Sequence, residues 1–145
     1  MQGIQINFWA IGIAAVAHFV LGAIWYMPLF GKLWAQEMGY DTENMESNKG
    51  EMIKGMAFML IGNIMMSWVL AHNIAAWSFV QGISSIPTVG NIMMSAVFTW
   101  LGFFVSVNLG NTVWERKSWR LFFINSGYQL ISLILISSII TLMPV

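Results

Sequence analysis

The chain is 145 residues long, 58% of them hydrophobic and 8% charged, with a formal net charge of zero and a mean hydropathy of +0.72. Soluble domains are about 45–50% apolar and about 25% charged, so a water-soluble fold could not hide this much apolar surface. Zero net charge removes the electrostatic case for a nucleic-acid partner, and the lack of cysteine excludes disulfides, thiolate chemistry and cysteine-ligated metal clusters.

In a bilayer every backbone polar group is satisfied within the protein, which leaves helices or a closed barrel. A barrel strand alternates apolar and polar residues over about ten positions, whereas residues 131–140 read ISLILISSII. The sequence therefore predicts an all-α fold, one membrane domain over residues 1–145 built as a four-transmembrane-helix bundle with short loops. A hydrocarbon core about 30 Å thick needs about 20 helical residues. The stretches at 4–27, 52–77, 89–109 and 121–143 meet that length.

The first stretch contains Ala15-Val16-Ala17, which resembles a signal-peptidase site. A signal peptide carries a basic leading region, and no lysine or arginine precedes this site, so the stretch is expected to remain as a span. Pro28 marks its exit, because the ring and the missing N–H disfavour a continuing helix. Residues 29–38 then read as a short interfacial segment carrying Phe30, Lys32 and Trp34, followed at 39–50 by the soluble connection GYDTENMESNKG. Residues 82–90, with Pro87, form the second connection, and residues 111–120 the third.

All six basic residues flank two of these connections: Lys32, Lys49 and Lys54 the first, Arg116, Lys117 and Arg120 the third. The positive-inside rule puts both in the cytoplasm. With four spans, the second connection and both termini then lie outside. Trp25, Tyr26, Trp34, Trp114 and Trp119 cluster beside the basic connections, where amphipathic rings favour the interface. A multi-pass protein of the bacterial inner membrane is the expected setting.

Polar residues within the spans are the usual entry to function in a membrane protein. In the third span Ser95, Thr99, Gly102 and Ser106 recur at spacings of three and four and predict a helix-packing seam. Ala14, His18 and Gly22 form a similar line in the first. At about 1.5 Å per residue His18, Asn63 and Gln129 fall at one depth near the midplane. With Ser132 they make a candidate polar cavity, the alternative being hydrogen bonds that only fix helix register. Nearer the basic end Tyr26, Asn108, Asn125 and Tyr128 make a candidate interface site.

Chemistry has little support. The six acids (Glu37, Asp41, Glu43, Glu46, Glu51 and Glu115) belong to the connections or their margins, so no span carries an acid for a proton relay. His18 and His72 differ too much in depth for a zinc pair or a shared haem. No Gly-x-Ser-x-Gly elbow or phosphate-binding glycine loop is present. The sequence thus predicts no catalytic residue, metal or cofactor. The leading expectation is a non-enzymatic protein in contact with membrane lipids, working as a homo-oligomer or as a subunit of a membrane assembly. A small transporter or channel using the midplane polar layer is the second, and an enzyme handling a lipid or quinone the third.

The segment WYMPLFGKLW at 25–34, the small-residue helix before it with Gly22, and INSGYQLIS at 124–132 carry a resemblance. In their order and spacing the chain resembles the membrane-protein family called domain of unknown function 1761, found in bacteria and fungi. That resemblance implies a compact four-span protein and brings with it no activity or site.

Overall fold

A computed structural model of the chain describes residues 4–40, 49–80, 82 and 85–145. Residues 41–48, with Asp41, Glu43 and Glu46 of the predicted soluble connection, lie outside the described set. The described residues are all-α, with no strand among them. Helix α1 runs Phe8–Ile24 and continues as a π-helical turn over Trp25–Leu29. A short α2 covers Gly31–Met38, and α3 covers Lys49–Trp77. Helix α4, Thr88–Thr99, passes through a second π-helical stretch, Trp100–Val105, into α5, Ser106–Trp114. Helix α6 closes the bundle at Trp119–Leu142. Four of these units are long and apolar enough to cross a bilayer: Phe8–Leu29, Lys49–Trp77, Thr88–Trp114 and Trp119–Leu142. The chain is a multi-pass membrane protein of four spans.

The helix does not stop at Pro28 as predicted. Pro28 sits inside the π turn, where the amide of Phe30 bonds back to the Trp25 carbonyl at 2.9 Å, five residues away. A ladder already widened at that point tolerates the donor that proline lacks. Gly31 then makes the bend into α2, since a Cβ there would come within 2.6 Å of the Tyr26 carbonyl oxygen. The third span runs through Trp114, past the predicted end at 109.

Lipid tails are as apolar as leucine, so membrane helices pack through close approach rather than through a hydrophobic drive. The contacts follow that rule: Ala14, Ala15, Ser67, Ala96, Ser132 and Ser137 are each no more than 1% exposed. Helix α6 is central. It packs against α1 on one side and α4 on the other, α1 also packs against α3, and α3 and α4 scarcely meet. The core forms where these faces converge, on Ala14, Leu70, Ala96, Leu133 and Ile136, with Trp100 and Phe104 against it.

The π stretch in the third span decides which face meets α6. Ile92, Ala96, Trp100, Phe104, Asn108 and Thr112, the residues packed or bonded inward, follow a strict four-residue step. In a regular α-helix each such step overshoots a full turn by about 40°, so the line would wind off the contact. The wider turn at Trp100–Val105 takes back that drift and keeps one face on α6 throughout.

Candidate functional site

Two regions gather polar groups, one at the basic end of the bundle and one at the end that carries the termini. At the basic end the two π stretches pin α6. The Trp25 indole donates to the Ile124 carbonyl at 3.2 Å, and the Trp100 indole donates to the Ser126 carbonyl at 2.7 Å. Each tryptophan opens its π stretch. Gly127 follows the second acceptor, and a Cβ there would meet the Trp25 ring at 3.5 Å.

The predicted interface site comes together around these anchors. The Tyr26 hydroxyl donates to Asn125 Oδ1 at 3.0 Å, and Asn108 donates to Ser126 Oγ at 2.9 Å. Tyr128, 4% exposed, meets Tyr26 edge-on with ring centroids 5.0 Å apart. Its hydroxyl lies over Gly22, where a Cβ would stand 2.9 Å from the oxygen, so the ring sits where only glycine leaves room. Rings continue in both directions. Outward, Tyr26 meets Trp34 at 5.6 Å and Trp34 meets Tyr40 at 5.6 Å; inward, Tyr128 stacks on His18 at 5.5 Å. Edge-on and offset rings each add about 0.5–1.5 kcal/mol beyond the area they bury. This ladder ties the interfacial α2 to the centre of α1 and α6. An Arg120–Glu37 pair at 3.6 Å also joins α2 to α6, but Arg120 is largely solvated and such pairs add little.

Asn108 and Asn125 line a cavity of about 260 Å³ together with Asn111, Thr112, Glu115 and Lys117. Tyr26 and Tyr128 form the packed layer behind it. The candidate midplane residues pack differently. His18, Asn63 and Ser132 are 2%, 4% and 0% exposed, and Gln129 is half-buried. With its amide oriented by its neighbours, Asn63 donates to His18 Nδ1 at 3.3 Å and to the Met59 carbonyl at 3.2 Å, and accepts from the Phe19 amide at 3.3 Å. In the neutral ring the proton then rests on Nε2, which has no hydrogen-bond partner among the described residues. His72 stands nine residues further along α3, where its Nδ1 bonds the Trp68 carbonyl at 2.9 Å. Neither described cavity is lined by His18, Asn63, Gln129 or Ser132.

The predicted seam does not pack inside this chain. Gly102 and Ser106 are exposed, and a Cβ on Gly102 would meet nothing within 4 Å. Ser95 and Thr99 are half-buried and line a second, larger cavity. That cleft, about 660 Å³, opens where α3 and α4 part at the end carrying the termini. Phe98, Met94 and Phe103 of the third span face Ile74 and Ala71 of α3 across it. Asn7 closes one side: its side chain accepts from the Trp9 and Ala10 amides to cap α1 and donates to the Met143 and Pro144 carbonyls at 3.2 and 3.3 Å. No spacing or composition in the sequence announces this cleft, because which spans stand apart is a property of the assembled bundle.

The family model described as Protein of unknown function (DUF1761) matches residues 9–141. The chain belongs to that family. The match reaches into all four spans and covers the site at the basic end, while Asn7 and Met143–Val145 of the cleft lie outside it; the family's description carries no activity. No curated protein and no solved structure matches the chain.

Proposed function

We propose that this protein works without chemistry of its own, by taking up a membrane-embedded partner on the open side of its third span. The observation that carries the reading is the parting of α3 from α4, which leaves the α3 side of the third span without a helix against it. Small residues stand along that exposed stretch, with room beside Gly102 and Gly110, where an added Cβ meets nothing within 4 Å. Such residues let a second helix approach closely. A second copy of the chain, or a subunit of a larger assembly, is the partner in this reading. The burial of His18, Asn63 and Ser132, with the Asn63 hydrogen bonds to His18 Nδ1 and the Phe19 amide of α1, favours a fixed α1–α3 register over a conducting path.

The placement that goes with it has the basic connections in the cytoplasm and both termini outside, in a bacterial inner membrane, because Lys32, Lys49, Lys54, Arg116, Lys117 and Arg120 share one end. Single cysteines in this cysteine-free chain test both parts. Gly102→Cys and Ser106→Cys are expected to give inter-chain crosslinks in native membranes, with Phe123→Cys as a lipid-facing control. Monomer at every position, with no crosslinked partner, overturns the association. Ser118→Cys is expected to be shielded from an impermeant thiol reagent in intact cells, and Val145→Cys labelled. The reverse pattern inverts the topology.

A further inference from the structure

We infer that the cleft between α3 and α4 holds one acyl chain of an uncharged membrane amphiphile. Four observations converge on that occupant. None of the described residues lining the cleft is Asp, Glu, Lys, Arg or His, so no charged side chain among them recognises or balances a charged headgroup. The lining combines apolar walls, Ala10, Ala71, Met94, Phe98 and Phe103, with uncharged polar side chains, Asn7, Asn91, Ser78 and Thr141 near the helix ends and Ser95 and Thr99 further in. The wall from Asn91 to Phe103 is about 18 Å long at about 1.5 Å per residue, and one leaflet of a hydrocarbon core is about 15 Å deep. Polar groups at the rim are also left over. The side-chain amides of Asn73 and Asn91, which line the cleft, make no hydrogen bond among the described residues.

The cleft, about 660 Å³, is within the range of about 300–1,000 Å³ that encloses a single small ligand, which suits one acyl chain. The donors and acceptors at the rim suit hydroxyl and ester groups, as in a diacylglycerol. The inference rests on the association reading only in taking the α3 side of the third span as its working face. The amphiphile occupies the part near the termini, and the helix partner the part around Gly102 and Ser106.

The test uses the full chain in phosphatidylcholine vesicles containing a diacylglycerol with a photoactivatable group on one acyl chain, with labelled peptides mapped by mass spectrometry. Labelling is expected to concentrate on residues 71–78 and 91–99 and to be competed by unlabelled diacylglycerol. Ser95→Trp, which fills the cleft, and the milder Ser95→Leu are expected to lower that labelling by about tenfold and by less, respectively. Labelling no denser in the cleft than on the lipid-facing residues 58–61 of α3 overturns the inference. Equal competition by phosphatidylglycerol overturns the assignment of an uncharged headgroup. If the cleft stays unlabelled and Ser95→Cys crosslinks two chains, a second copy occupies it: the amphiphile falls and the association reading stands. Cleft labelling without any crosslink from Gly102→Cys or Ser106→Cys has the opposite meaning, leaving the amphiphile and removing the helix partner.

Discussion

The two ends of the bundle are held by different means. At the basic end α6 is pinned from both sides by the Trp25 and Trp100 indoles, and its polar side chains Asn125 and Ser126 are bonded to Tyr26 and Asn108. At the other end a single side chain among the described residues, Asn7, ties the start of α1 to the end of α6, and the flanking helices α3 and α4 stand apart. Hydrogen bonds between membrane helices contribute only about 0.6 kcal/mol each on average, so the basic end gains its firmness from many such bonds and stacked rings acting together. In the proposed reading the basic end is scaffold and the end with the termini is the face that meets other molecules.

Breaking the scaffold is expected to cost most. Tyr128→Ala removes the ring that touches His18, Trp25 and Tyr26, and truncations of buried aromatics cost about 3–5 kcal/mol. A large fall in the apparent melting temperature of the detergent-solubilised protein, followed by fluorescence-detected size exclusion, checks this. Gly22→Ala comes next, at about 1–3 kcal/mol for overpacking, because its Cβ would press on the Tyr128 oxygen at 2.9 Å but on the nearest ring carbon at 3.6 Å. Tyr128→Phe, which removes only that oxygen, is therefore expected to restore much of the loss in the double variant. Absence of rescue would show that the ring and not the hydroxyl sets the contact.

Smaller effects belong to the other end. Asn7→Ala loses the α1 cap and the tie to the Met143 and Pro144 carbonyls. Caps of this kind are worth about 1 kcal/mol, and faster amide exchange is expected at both helix ends facing the cleft. Gly102→Ala is expected to leave thermal stability of the monomer within about 0.5 kcal/mol, as an exposed substitution with free space does. The same change is expected to weaken inter-chain crosslinking at Ser106→Cys, which a purely lipid-facing position would not do.

Length and hydropathy made the four spans and the all-α fold legible, because about 20 apolar residues leave few alternatives in a bilayer. The site at the basic end was partly legible: Tyr26, Asn108, Asn125 and Tyr128 were placed by depth alone, and the fold brings them into one neighbourhood. Spacing alone does not say which face of the third span packs within the chain and which stays open. Spacings of three and four selected Ser95, Thr99, Gly102 and Ser106, but the face on α6 is the four-residue line through Ala96, Trp100 and Asn108, sustained by a π stretch that no spacing announces. Neighbour choice was equally hidden. A short connection suggests that spans two and three pack side by side, yet α3 leans on α1 and α4 on α6, and the cleft exists because of it.

Hydrogen exchange of the full chain in phosphatidylcholine nanodiscs, with and without diacylglycerol, tests the division between scaffold and working face most directly. Protection is expected to rise at residues 71–78 and 91–99 on adding diacylglycerol, while residues 124–132, already slow, stay unchanged. A response centred on residues 124–132, or no response at the cleft, would contradict it.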